Sequence, residues 1–319
     1  MSKKVKTWLI VAASLIVVVL ITFTAVMTYY RWDFSKLSNA NYQTATHEIT
    51  EEFSSISIIT GTADVRFVLA QDGKCKIVCT EQEKLKHTVV VENNQLKVQT
   101  IDERKWYEHI FNFAKNEIVA YLPPANYNSL TLQSNTGDVE IASGFTFESI
   151  TVSMHTGDIE SRANTTSHTK ITTTTGDIEV ENATVGMLEL ITTTGDIEVE
   201  NITCTGDIRT TSTTGDNELK SVSCQNFNSD GTTGDISLSN FIAIGTISIQ
   251  RDTGDVRFYR CDGGEIVVNT TTGDVSGSLL TGKTFIPYSN TGDIRVPQNT
   301  NGGRCQITTD TGDIHITIA

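Results

Sequence analysis

The sequence predicts an all-β protein: a single-stranded β-solenoid with an N-terminal β cap, preceded by one transmembrane helix. Three observations carry that prediction. The tripeptide Thr-Gly-Asp occurs eleven times from residue 136 onward, and ten copies are spaced 19 or 20 residues apart. Period-2 apolar alternation flanks each copy. Finally, Trp8 to Tyr30 is an uncharged apolar run of 23 residues.

The N-terminal run is long enough to cross a hydrocarbon core of about 30 Å as a helix. Lys3, Lys4 and Lys6 precede it, and Trp8, Tyr29, Tyr30 and Trp32 lie where interfacial aromatics belong. The lysines place residues 1–7 in the cytoplasm as a basic stub, 8–30 in the membrane, and the C-terminal region outside the cytoplasm. A cleaved signal peptide is the rival reading, but its apolar region usually has only about 7–15 residues. Residues 31–49 read as a linker.

The 319 residues hold 24 Lys+Arg against 38 Asp+Glu, a formal charge of −14. Four of the basic residues and none of the acids lie in residues 1–31, which leaves the exported part at −18. Such an excess excludes nucleic acid as a partner, because phosphates select basic patches. The apolar content, 38%, is too high for a disordered chain.

The regular copies begin at Thr136, Thr156, Thr175, Thr194, Thr214, Thr233, Thr253, Thr272, Thr291 and Thr311. A strict period of this kind marks a repeat architecture. Ile or Val follows the Asp in nine of the ten copies, with Asn217 the exception, and a second apolar residue often lies two further on. Another alternating stretch precedes each motif, as in Ile150-Val152-Met154 and Ile266-Val268. A third apolar position falls eight residues after the Thr, at Ile202, Val222, Phe241, Cys261 and Leu280. Three inward sites in about 19 residues describe one solenoid coil, and a propeller blade would need twice that length. About ten coils stacked at roughly 4.8 Å give a rod roughly 48 Å long over residues 136–319.

The turn column consists of Gly137-Asp138, Gly157-Asp158, Gly176-Asp177, Gly195-Asp196, Gly215-Asp216, Gly234-Asp235, Gly254-Asp255, Gly273-Asp274, Gly292-Asp293 and Gly312-Asp313. Gly supplies a corner with positive φ, and Asp or Thr can bond nearby backbone N–H groups. The eleventh copy, Thr205-Gly206-Asp207, falls at a different corner, so the tripeptide reads as turn chemistry. A row of Ca²⁺ ions on the stacked carboxylates is the one cofactor the pattern raises. One carboxylate per coil offers too few oxygens for 6–8 coordination, so the expectation is no cofactor and no metal.

Residues 50–135 lack the motif and read as the β cap. Strand-like runs cover Ser55–Thr60, Asp64–Leu69, Cys75–Cys79, Thr88–Val91, Gln95–Thr100 and Glu117–Leu122. Asn93-Asn94 predicts a hairpin turn. Thr60-Gly61 lies four periods of 19 before Thr136, which suggests degenerate coils in between. Asp102 to Asn116 interrupts the β pattern; Trp106, Ile110 and Phe113 share a helical face that would cover the first coil or bind a partner. The last strand, with Ile314, Ile316 and Ile318, would leave an uncovered edge at the C-terminal end.

Other signals carry less. Gly277-Ser-Leu-Leu-Thr-Gly-Lys-Thr284 matches a P-loop letter for letter but lies in an unbroken β repeat, without the following helix that phosphate binding needs. Cys204 and Cys224 are one period apart and should stack, which makes a disulfide attainable; two reduced core thiols are the alternative. Cys75 and Cys79 share one side of a strand about 13 Å apart, too far to bridge. The sequons at Asn164, Asn182, Asn201 and Asn269 carry little information. The six histidines are scattered, and no hydrolase motif is present.

With the anchor, the repeats and the stretch Glu117-Ile-Val-Ala-Tyr-Leu-Pro-Pro-Ala-Asn-Tyr127 together, residues 50–319 resemble the bacterial putative-adhesin family of Thr-Gly-Asp-repeat β-solenoids, a domain of unknown function. Some of its membrane-anchored members are associated with envelope-stress responses in Gram-positive bacteria. The resemblance transfers no catalytic residues. It implies a non-catalytic interaction module of the cell envelope at the cell membrane, with an envelope protein or wall polymer as partner. A carbohydrate-active β-helix enzyme is the alternative from another class, but steps of 19 or 20 leave no room for the loops that wall such grooves. A structural spacer is the third reading.

Overall fold

The computed structural model describes residues 3–32, 42–105, 116–298 and 301–319. Among the described residues one helix, α1 (Lys3–Tyr29), is followed by an all-β body, a β-solenoid of about nine turns. The most apolar 18 residues of Val5–Tyr29 have a mean hydropathy of 2.9, and the helix is long and apolar enough to cross a membrane. The aromatic segment 106–115 lies outside the described residues, and so does the predicted cover that it would form.

The cap contains β1 (Tyr42–Ile49), β2 (Ser55–Leu69), β3 (Cys75–Gln82), β4 (Leu85–Glu92), β5 (Gln95–Asp102) and β6 (Asn116–Leu122). Residues 42–49, read as linker, form β1 and pair antiparallel with β3. The two predicted strands at 55–60 and 64–69 are one continuous strand, β2. The Asn93-Asn94 turn is as expected, with φ of 50° and 62° joining antiparallel β4 and β5.

Among the described residues no row of degenerate coils separates β2 from the repeats. Strand β2 stacks directly on the first regular coil, with Ile56 opposite Leu130 and Thr62 opposite Thr136. On its other side β2 pairs in parallel with β5 and β6, which come later in the chain. The coil order therefore departs from chain order at this end. Strands β3 and β4 then add antiparallel to β6 and β5, ending the parallel stack.

The same departure occurs at the far end and overturns the expected C-terminal edge. The final strands, Arg304–Thr311 and Ile314–Ile318, insert between the coil of Ile266–Leu279 and the coil of Thr284–Arg295. Ile314 and Ile316 are buried. The outermost coil is the earlier segment, where the inward-facing Ile294 is 43% exposed.

The core is a continuous apolar column of Ile, Val, Leu and Phe drawn from the alternating positions. Fully buried examples are Ile150, Val152, Leu188, Leu190, Ile247 and Ile249. Each coil contributes few such residues, so stability rests on stacking between neighbours. Four of the five third-position residues are buried; in the fifth coil Leu279 takes the place expected of Leu280. The register slips by one there because this coil lacks the residue with positive φ that its predecessors carry seven places after the Thr: Asn182, Asn201, Ser221, Asn240 and Arg260, with φ of 49–56°.

Candidate functional site: the acidic face beside the corner column

Each Thr-Gly-Asp corner is tied to the next by a repeated set of bonds. The Gly N–H donates to the Thr carbonyl of the adjacent coil, as in Gly176 to Thr194 at 2.9 Å. The N–H after the Asp donates to the adjacent Asp carbonyl, as in Ile178 to Asp196 at 2.9 Å. The Asp N–H has no such carbonyl, because the Gly carbonyl at the same level turns inward. There it accepts from the hydroxyl two places before the next Thr, as in Thr192 to Gly176 at 3.2 Å and Thr309 to Gly273 at 3.1 Å.

The carboxylate meets that orphan donor. Asp138 N–H donates to Asp64 Oδ1, and then Asp158 to Asp138, Asp177 to Asp158, Asp196 to Asp177 and Asp216 to Asp196. The ladder continues through Asp235, Asp255, Asp274, Asp313 and Asp293, all bonds lying between 2.7 and 3.1 Å. Asp64, in the degenerate corner Thr62-Ala63-Asp64, begins the column. Glycine is required at these corners for two reasons: φ lies near 140°, and a Cβ on Gly195 would come within 2.1 Å of the Gly176 carbonyl oxygen.

The eleventh tripeptide sits at a separate corner. Gly206 N–H donates to Gly186 O at 2.6 Å, and Asp207 Oδ1 accepts from Asn226 Nδ2 at 2.8 Å. The P-loop match has no phosphate-binding geometry. Lys283 is buried, its Nζ 2.6 Å from Asp262 Oδ1 and 2.7 Å from Gly263 O. All six cysteines are buried free thiols in this structure. Cys204 and Cys224 stack in adjacent coils, and burial, with Cys204 beside it, pushes the Cys224 thiol up to about 12.

Outside the Asp column runs a second acidic column that motif reading did not register. Glu140, Glu160, Glu179, Glu198 and Glu218 occupy the same position in five successive coils, paired in register. Glu181 and Glu200 extend it on the next outward position. Arg66 closes one end, within 3.1 Å of Glu117 and 3.2 Å of Glu140. Arg162 bridges Glu160 and Glu181, and Lys220 pairs with Glu200 at 2.7 Å. Partial burial and then the neighbouring Glu160, Glu181 and Glu198 hold the Glu179 carboxyl above the usual carboxylate range, against the pull of Arg162. A cleft of about 460 Å³ lies over the first coils of this face, lined by Asp138, Glu140, Asp158, Glu160, Asp177 and Glu179 among others. Further along, Arg257 breaks the strip by pairing with Asp235 and Asp255. Among the described residues no group of three or more His, Cys, Asp or Glu is arranged to hold a metal ion.

The family model described as Toastrack DUF4097 matches residues 53–220 and 212–319. The chain belongs to the Toastrack DUF4097 family. A crystal structure described as a putative adhesin from Parabacteroides distasonis aligns with a TM-score of 0.51 at 11% identity, over 86% of this chain and 98% of that one. A putative adhesin from Bacteroides fragilis gives 0.42 at 18% identity, over 88% and 98%. A putative lipid binding protein from Parabacteroides distasonis gives 0.49 at 14%, over 87% and 98%. At these identities the likeness concerns the fold alone. A search of curated protein sequences gave no match. As a Toastrack domain the body is a scaffold of stacked coils, with the Asp and Glu columns repeating from coil to coil.

Proposed function

We propose that this Toastrack protein is a non-catalytic interaction module of the bacterial cell envelope, held at the membrane by α1 and displaying its solenoid on the extracytoplasmic side. Its working surface is the strip of paired Asp and Glu columns, which takes cationic groups of a wall polymer, envelope protein or cationic peptide. The observation that carries this reading is the run of five in-register Glu residues, Glu140 to Glu218, beside Asp corners whose Oδ1 atoms are already committed to backbone. Repulsion between like charges at strand spacing opposes folding, so such a column is not accounted for by stability. Cationic ligands would relieve it. The putative-adhesin description of the Parabacteroides distasonis structure aligned at a TM-score of 0.51 supports an interaction role, and an envelope-stress link belongs to the same proposal.

Two measurements test it. Binding of poly-L-lysine to the full chain in nanodiscs should saturate and weaken steeply with salt. Crosslinking in intact cells, followed by purification from solubilised membranes, should recover a partner through residues of the strip. Turnover of wall glycans by the purified chain would overturn the non-catalytic reading.

A further inference from the structure

We propose that a second site, at the edge of the cap, binds a small organic cation with an apolar body: an amine or guanidine carried on an aromatic or alkyl group. The site is a cavity of about 730 Å³ between the segment 48–54, the turn 72–76 and the segment 123–127. That size suits a small molecule. It lies apart from the acidic strip and shares none of its residues.

The floor is apolar and rigid. Phe53 stacks on Tyr127 with ring centroids 6.0 Å apart, and Tyr127 stacks on Phe147 at 5.4 Å. The Tyr127 hydroxyl donates to Pro123 O at 2.8 Å, so its polar end is satisfied and the ring, buried between Phe53 and Phe147, backs the half-buried Phe53 that faces the cavity. Cys75 beside it is buried, and burial pushes its thiol up to about 11, which leaves it neutral. One wall is pinned at Ser54, whose hydroxyl accepts from Asn94 Nδ2 at 2.6 Å and Asn128 Nδ2 at 3.1 Å.

The rim decides the sign of the ligand. Glu48, Glu51, Glu52 and Asp72 line it against Lys74 and Lys76. The Lys76 ammonium lies 4.6 Å from the centroid of the Tyr121 ring, engaged with that aromatic face. An anion entering the cavity meets four carboxylates against two ammonium groups, one of them engaged with Tyr121, and a neutral body gains only the floor. A cation with an apolar body gains both, its charge at the rim and its body against Phe53.

The test uses the full chain in zwitterionic nanodiscs and saturation-transfer NMR with 2-phenylethylamine, with phenylacetate and methylammonium chloride as matched probes and empty nanodiscs as the blank. The amine should bind saturably through its ring protons, and the other two should not. Glu51→Gln with Glu52→Gln should weaken the amine at least fivefold. Ala125→Trp, at an exposed lining position, should fill the cavity and abolish binding while the melting temperature holds. Glu160→Gln with Glu179→Gln, in the strip, should leave amine binding unchanged. Equal binding of phenylacetate, absence of saturation, or indifference to both cavity variants would overturn the proposal; loss of amine binding in the strip variant would reassign it to the other face.

Discussion

Replacing Asp196 separates the two roles open to the corner carboxylates. Its Oδ1 accepts the Asp216 N–H at 2.7 Å, while Asp177 and Asp216 stand one coil away on either side. A charge-assisted bond to a backbone N–H is worth about 1.5–3 kcal/mol, and the exposed setting points to the lower end. Two like charges at about 5 Å each cost roughly 0.8 kcal/mol in water, and salt reduces this to about half. Asp196→Ala loses the bond and relieves the repulsion, for a net cost of about 1 kcal/mol. Asp196→Asn keeps a neutral acceptor and also relieves the repulsion, so its cost is about zero. Native-state hydrogen exchange reads the difference at one amide: Asp216 N–H should exchange about fivefold faster in the Ala variant and remain protected in the Asn variant. Equal exchange in both variants, or an unchanged rate in Asp196→Ala, would refute the backbone-capping role.

Other consequences can be checked in the same preparation. Gly231→Ala places a Cβ 1.9 Å from Nη1 of Arg251, a core arginine only 2% exposed, and should destabilise by about 2–4 kcal/mol in urea unfolding, with part recovered when Arg251→Met is added. His87 is fully buried, and burial holds its imidazole below the ordinary 6.5 despite Glu81 alongside, with His47 adding to the depression. The unfolded chain therefore takes up the proton first. Stability from neutral His87 is intact above about pH 6.5 and lost as the pH falls below it, and His87→Leu should flatten that slope in acid unfolding. Deleting 304–319 should strip protection from the 284–291 amides as well, because the deleted strands lie beneath them; sequential stacking would leave those amides protected. Calcium and EDTA should leave the melting temperature unchanged, and a marked rise with calcium would assign the Asp column to metal.

Position within a coil was legible in the sequence, because every coil solves the same backbone problem with the same residues. Thr-Gly-Asp marks a corner, and the alternating Ile and Val mark the inward face. The order of the coils was not legible. Adjacent coils present near-identical columns, so nothing local distinguishes Ile314 stacking on Val275 from Ile294 doing so. The same degeneracy hid the placement of β2 between β5 and the Thr136 coil. Some signals were present but unread. The Asn182-Asn201-Ser221-Asn240 corner repeats seven places after the Thr, and the Glu column repeats two places after the Asp. Asn217 stood out as the exception to Ile or Val; it belongs to a buried polar cluster with Thr210, Ser229 and Arg251, whose Nη2 donates to Ser229 Oγ at 3.0 Å.

The division of labour between the columns, with Asp building the rod and Glu meeting the partner, is tested most directly by one titration. Poly-L-lysine binding to the full chain in nanodiscs is compared with that of Glu160→Gln/Glu179→Gln/Glu198→Gln, with the melting temperature followed in parallel. Affinity should fall at least tenfold while the melting temperature holds or rises, since like-charge repulsion is removed from Glu179 and its neighbours. Unchanged affinity, or loss of binding only when the melting temperature falls with it, would contradict the assignment of this face as the binding surface.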